Sequence, residues 1–185
     1  MRIISGKFKG RKLKSPPDYK IRPTLGSVKE SIFNVIGSRI ERANVLDLFA
    51  GTGALGIESL SRGCNLAYFV DESFESISLI EYNIKSLEIN SKKYKIIKSD
   101  ILNFLGFYEG LEWDIIFLDP PFKIESDIMK KIFNIIPEKG ISKKDTLIIY
   151  EYFFKRNIAE EIKKLRVIKK SHFGDKEVIY LSPLY

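Results

Sequence analysis

Asp119-Pro120-Pro121-Phe122 follows a short apolar run, Asp114-Ile-Ile-Phe-Leu118, and lies downstream of a glycine-rich turn, Asp47-Leu-Phe-Ala-Gly-Thr-Gly53. A proline pair by itself often marks only the turn after a strand. Paired with the glycine turn, it points to methyl transfer onto a planar amino group. The lone pair of an exocyclic amine is delocalised into its ring, so acceptors must draw the nitrogen toward sp³ geometry. The Asp119 carboxylate and the Pro120 carbonyl can accept the two amine hydrogens. Pro120 and Pro121, with fixed φ and no N–H, would hold those acceptors rigid. Phe122 can stack on a base that has left its helix or is presented by a loop. Such chemistry needs no metal, and either Asp119 or solvent can take the proton.

Gly51-Thr-Gly-Ala-Leu-Gly56 matches G-x-G-x-x-G, and Asp71 lies twenty residues after Gly51, so a nicotinamide dinucleotide site has to be weighed. Three features oppose it. Asp47 would repel a pyrophosphate at the end of the first strand, Asp100 adds a carboxylate to the rim, and no group suited to hydride transfer is present. S-adenosylmethionine fits better, because it carries an ammonium and a sulfonium and no phosphate. Asp47 would receive the ammonium or its bound water, Asp71 the two ribose hydroxyls and Asp100 the adenine amine. Gly51 and Gly53 let the backbone approach the methionine portion without a Cβ in the way. Phe49, Glu72 and Ile101 flank these positions and complete the expected cofactor lining. Singly, Asp71 and Asp100 read equally well as strand-end or helix-cap carboxylates; their succession at strand ends favours a ligand.

The elements that must position these groups alternate. Short apolar strands are expected over 45–49, 66–70, 95–97, 115–118 and 146–150, as in a sheet covered on both faces. Apolar residues at spacings of three and four predict helices over 28–36, over 74–87 with Ser73 as N-cap, near 128–136 and over 158–165. Residues 167–172 and 177–181, around Gly174-Asp175, read as an antiparallel hairpin. This order implies a doubly wound α/β sheet, whose ligands bind beyond the carboxyl ends of the strands. The motif residues fall there.

With 185 residues, 44% of them hydrophobic, the chain suffices for one domain with a real core. Its organisation reads as a basic extension over 1–40 and a catalytic body over 41–185. Residues 1–30 hold nine Lys or Arg against Asp18 and Glu30 and so carry the whole net charge of +7. A basic segment on a neutral body suits a phosphate backbone. Apolar residues and glycines interleave with its charges, as in a small ordered hairpin. Lys7, Lys9, Arg11, Lys12 and Arg22 are the expected RNA contacts. Phe8 reads either as a stacking group or as core of the extension. The single cysteine, Cys64, excludes an internal disulfide or a cysteine cluster for a metal. No apolar run reaches the about 20 residues of a membrane helix, and a cytoplasmic protein is expected. His172, Cys64 and Trp113 read as structural.

The whole chain resembles the RsmD-type enzymes, which methylate N2 of a guanine in small-subunit (16S) ribosomal RNA. The resemblance runs through Arg2-Ile-Ile-Ser-Gly-Lys7, Gly10-Arg-Lys-Leu13, Arg22-Pro-Thr24, Lys29-Glu-Ser-Ile-Phe-Asn34, the glycine turn and Asp119-Pro-Pro-Phe122. The last two specify only a superfamily of amino-methyltransferases; the N-terminal combination is more particular. The resemblance implies a seven-stranded, Rossmann-like class I methyltransferase sheet with a final antiparallel hairpin strand. It also implies S-adenosylmethionine as cofactor and assembled or assembling small subunits as substrate. Many relatives have Glu-x-Asp where this chain has Asp71-Glu72-Ser73. Two further readings remain open: a DNA or protein amino-methyltransferase with the same motif, and a non-catalytic RNA-binding module. The small size speaks against a sequence-specific DNA enzyme, which normally needs a target-recognition domain. Intact Asp47, Gly51, Gly53, Asp71 and Asp119 speak against a module that has lost catalysis.

Overall fold

Alternation of apolar residues along short runs builds a sheet with a core on each face. The computed structural model describes residues 1–15 and 26–184; Arg22 and its Arg-Pro-Thr motif lie outside the described residues. The strands are β1 (Asn44–Leu48), β2 (Leu66–Asp71), β3 (Tyr94–Lys98), β4 (Trp113–Leu118), β5 (Ser142–Phe153), β6 (Leu165–Phe173) and β7 (Lys176–Pro183). They form one sheet in the order β3-β2-β1-β4-β5-β7-β6. The first five run parallel, and β7 is antiparallel to both β5 and β6.

The helices are α1 (Gly26–Ile36), α2 (Ala54–Ser61), α3 (Phe74–Ser86), α4 (Ile101–Phe107) and α5 (Ser126–Glu138). Val45, Ile115 and Phe117 pack with Val28, Ile32 and Phe33 of α1, Ile57 of α2 and Ile80 and Ile84 of α3. Leu46, Ile116 and Leu118, pointing the other way, pack with Leu105 of α4 and Met129, Ile132 and Phe133 of α5. The period of two along each strand thus feeds two cores, one per helical layer. Gly56 belongs to this packing, since a Cβ there would stand 2.2 Å from Cε1 of Phe69.

Ser73 caps α3, its hydroxyl accepting from the Ser76 N–H at 3.4 Å, where the sequence places the cap. Two short helices, α2 and α4, carry too few turns to show a period in the sequence. The helix expected over 158–165 is absent. Residues 154–164 form turns, with the Ile158 carbonyl accepting from both Glu161 and Ile162. The chain has only this short span to return from β5 to β6. Glu161 is drawn inside by Arg156, Ser126 and Tyr150, which breaks the helical continuation. Ile158 and Leu165 are the apolar anchors of that segment rather than a helix face.

The expected N-terminal hairpin reduces to a single antiparallel bridge, Arg2 to Lys12, closed by turns. Its two hydrogen bonds run from the Ile3 N–H to Arg11 and from the Leu13 N–H to Met1, and the Gly10 N–H donates to the Ile3 carbonyl as well. Gly6 takes φ of +82°, and a Cβ there would lie 1.8 Å from the Ser61 carbonyl oxygen. The arm is therefore flush against the end of α2. Glu58 of α2 fastens it. One carboxylate oxygen accepts from the Ile4 N–H at 2.9 Å and the other from the Ser5 N–H at 3.0 Å. Lys29 of α1 stands 3.0 Å from Glu58, and Arg62 stands 2.9 Å from it.

Burial would push the Glu58 carboxyl up and pulls the Lys29 ammonium below its usual value. The Ile4 N–H, Lys29 and Arg62 outweigh burial at Glu58 and hold its carboxyl below the usual range. A depressed carboxyl contributes stability that is present above its unfolded value, about 4.3, and lost as pH falls through the folded value. Glu58→Ala strands a buried ammonium, so urea denaturation at neutral pH should show a loss of about 3 to 5 kcal/mol. The acid-side slope of stability against pH should flatten in the same variant.

Candidate active site

Leu48 pairs in register with Val70 of β2 and with Leu118 of β4. Asp71 and Asp119 therefore leave their strands at one level, beside the turn that follows β1. Asp47, one residue inside β1, is 2% exposed and turns its carboxylate beneath the glycine loop, accepting from the Gly56 N–H at 2.9 Å. Asp71 accepts from the Gly51 N–H at 2.8 Å with one oxygen and from the Ser73 N–H at 2.9 Å with the other. Each oxygen keeps a second lone pair for a ligand hydroxyl. The Ser in Asp71-Glu72-Ser73 has two local duties, donating to Asp71 and capping α3.

Backbone shape at this corner is special. Phe49, half-buried, has φ of +61°, which costs a side-chain-bearing residue about 1 to 3 kcal/mol. Gly53 follows at φ of +76°, with Ile80 and Ile57 3.1 and 3.3 Å from where a Cβ would stand. Glycine at this position thus lets the turn close tightly on the core, against Ile80 and Ile57. Asp100 caps α4 through the Asn103 N–H at 2.9 Å and is exposed; Ile101 beside it is buried, and Glu72 is exposed on the rim.

Asp119 is half-buried, Pro120 buried, and Pro121 and Phe122 exposed. The Ile124 N–H donates to the Pro121 carbonyl at 2.9 Å, and Arg156 donates to the Ile124 carbonyl at 2.7 Å. Lys176 of β7 lies 5.2 Å from the Phe122 ring centroid and is itself buried in an ion pair with Glu151 of β5. This pair, which the sequence does not single out, braces the ring from beneath. Asn83 is a second addition. It is fully buried on α3, accepts from the Lys14 N–H and donates to the carbonyls of Lys14 and Thr52, tying the arm to the glycine loop. A polar residue on the buried face of that helix is the signal that could have found it.

The remaining assigned residues lie elsewhere. Lys7, Lys9, Arg11 and Lys12 are exposed on the arm. The Lys7 N–H donates to Ser61 at the end of α2, and the Arg11 guanidinium to Ser86 at the end of α3. Both helices run antiparallel to the strands they connect, so this part of the arm sits at the amino edge of the sheet, opposite Asp119. Phe8 is partly buried against the core. Burial pushes the Cys64 thiol up to about 12, which leaves it unreactive. Trp113 is buried against Tyr68, and His172 is exposed on β6.

Burial pushes the Asp47 carboxyl well above its ordinary range, opposed by the Gly56 N–H and reinforced by Asp119 and Asp71. Three carboxylates that repel one another at a strand edge call for a cation. The donor set fits a ligand with ammonium and sulfonium charges and rejects a pyrophosphate. Asp47 and the glycine loop would hold the methionine portion, Asp71 the ribose, and Asp100 with Ile101 the adenine.

A family model described as "Conserved hypothetical protein 95" matches residues 1–182. The chain belongs to this family. YlbH of Bacillus subtilis, which carries a provisional name as an rRNA methyltransferase, is 38% identical over 94% of each chain. "Ribosomal RNA small subunit methyltransferase D" of Escherichia coli K12 is 32% identical over 82% of this chain and 74% of its own. Among solved structures, yhhF of Escherichia coli, provisionally named a methyltransferase, superposes with a TM-score of 0.86. That match has 27% identity and spans 99% of this chain and 97% of the other. This family member is therefore a class I methyltransferase, and its cofactor is S-adenosylmethionine. Among the described residues, no helix is long and apolar enough to cross a membrane.

Asp47 gives the cofactor site a testable pH dependence. A bound cation favours the ionised carboxylate, so binding expels the proton that a raised carboxyl retains. Affinity for S-adenosylmethionine should therefore rise with pH through the raised range, by up to about tenfold per unit, and then level off. Calorimetry in buffers of different ionisation enthalpy should detect the released proton in the wild type and none in Asp47→Asn.

Proposed function

We propose that this chain transfers a methyl group to the N2 amine of a guanine in small-subunit ribosomal RNA, acting in the cytoplasm on assembled or assembling subunits. Asp119-Pro-Pro-Phe122 at the end of β4, level with the carboxylate that would hold the ribose, carries this reading. Residues 1–40 would serve as the substrate-facing extension and 41–185 as the catalytic body. The names of the Escherichia coli and Bacillus subtilis relatives support ribosomal RNA as substrate.

When bound, S-adenosylmethionine supplies an electrophilic methyl group at a positively charged sulfur. The chain's own part is to prepare the amine. Asp119 and the Pro120 carbonyl accept its two hydrogens and turn the lone pair out of conjugation with the ring. Phe122, braced by Lys176, supports the face of the base. Rigid prolines and a strand-end position fix these groups before the substrate arrives, and positioning of this kind is worth on the order of 7 to 11 kcal/mol. Asp119 or a water beside it takes the proton.

Lys7, Lys9, Arg11, Lys12 and Arg22 would contact phosphates. Four of them stand on an arm anchored at the amino edge, so the RNA would run along the flank of the molecule as well as over the catalytic edge.

Labelled methyl transfer to small subunits from cells lacking this protein, followed by nucleoside mass spectrometry, should yield N2-methylguanosine at one site. Label in DNA or protein alone would refute the substrate. Asp119→Ala should cut turnover by about a hundredfold or more while leaving cofactor affinity near wild type. Five phosphate contacts should make RNA affinity fall with salt at a log–log slope of about −0.7 to −0.9 per contact, and Lys7→Ala should reduce the total slope by about one contact.

A further inference from the structure

Phe122 is not an isolated ring. Its centroid lies 6.4 Å from that of Phe153, Phe153 lies 5.6 Å from Phe154, and Phe154 lies 5.2 Å from His172. Phe122, Phe153 and Phe154 are 44%, 36% and 40% exposed, and His172 is exposed as well. A continuous row of four rings thus leads from the catalytic motif across the far corner of the sheet.

The row is built on rigid backbone. Strand β5 continues past its last pairing with β4, Tyr150 opposite Leu118, and carries Phe153 beyond the carboxyl edge. Phe153 pairs with Lys176 on β7, and the Phe154 N–H donates to the Asp175 carbonyl at 3.1 Å, which locks it to the hairpin turn. Arg156 links the turn after β5 to the loop after the Pro pair. Apolar area at this corner goes unburied although each ring is held in place. Cations frame it: Lys155 lies 5.6 Å from the Phe154 centroid, and Lys170, two residues before His172 and so on the same face of β6, is exposed.

We propose that Phe153, Phe154 and His172 form a second stacking site, which takes the unpaired nucleotide next to the target base while the neighbouring lysines meet its phosphates. The proposal rests on reading the Asp119 site as an RNA methyltransferase. Exposed rings with a cationic frame are what single-stranded nucleic acid requires, because every base has a π-face and every linkage a negative charge. Continuity with Phe122 specifies which nucleotide it is. The enzyme would grip two consecutive unstacked bases, which helps keep the target out of its helix and selects a loop or bulge over duplex.

The test uses the full chain and a fluorescent short single-stranded oligouridylate, read by anisotropy at low salt. Phe154→Ala should weaken binding about tenfold, Phe154→Leu should weaken it similarly because it keeps apolar bulk without a π-face, and Phe154→Trp should restore it. Affinity for S-adenosylhomocysteine and the urea midpoint should stay at wild-type values in all three. The proposal falls if Phe154→Ala binds within about twofold of wild type, or if wild type fails to bind at millimolar oligonucleotide. It falls too if Phe154→Leu binds like wild type, the result expected of an apolar protein contact. Failure of the substrate assignment would look different: Phe154-dependent oligonucleotide binding with no label entering ribosomal RNA.

Discussion

Leu48 stands level with Val70 on one side and Leu118 on the other, and on this parallel register the site depends. It sets Asp71 and Asp119 at the same height on either side of the turn that leaves β1. A slip of one residue would turn every side chain to the opposite face and send one carboxylate into a core. Two complete hydrophobic layers oppose such a slip, because Val45 and Leu46 face different helices. Packing far from the chemistry thereby fixes where the charges meet.

Convergence of carboxylates also explains why the glycine fingerprint does not make a phosphate site. In a dinucleotide fold the N–H groups at the start of the helix face the pyrophosphate. Here the Gly56 N–H is taken by Asp47 and the Gly51 N–H by Asp71. Negative charge occupies the place an anion would need, and burial, reinforced by Asp119 and Asp71, raises the Asp47 carboxyl there. Gly56 serves packing against Phe69 instead, and Gly53 serves the turn.

Glu58 plays the corresponding part for the N-terminal arm. Its four partners come from the arm, α1 and the residue that ends α2, so one buried carboxylate joins the basic extension to the body. Asn83 makes the second join, next to the glycine loop. Ile3 and Leu13 enter the same core as Val45 and Phe69. Basic side chains on this arm are consequently held at defined distances from the catalytic edge.

Strands, their order of alternation with helices, the Ser73 cap and the strand-end placement of Asp47, Asp71 and Asp119 were legible in the sequence, because each follows from local periodicity or from a residue type at a turn. The apolar spacing at 158, 162 and 165 was legible too and misleading, since the same spacing suits a short coil that plugs a core when Glu161 is drawn inward. Charge in the first thirty residues marked a basic segment, but the seat of Lys7 and Arg11 against Ser61 and Ser86 depends on helix ends far away in sequence. The bonds of Glu58 to Ile4 and Ser5 span 54 and 53 positions and the brace of Lys176 and Glu151 under Phe122 spans 25, while the row of rings joins the end of β4 to β5 and β6. Local pattern determines which elements form and what chemistry their ends can offer. Only the folded sheet, by setting strands from distant parts of the chain side by side, decides which of those ends share a site.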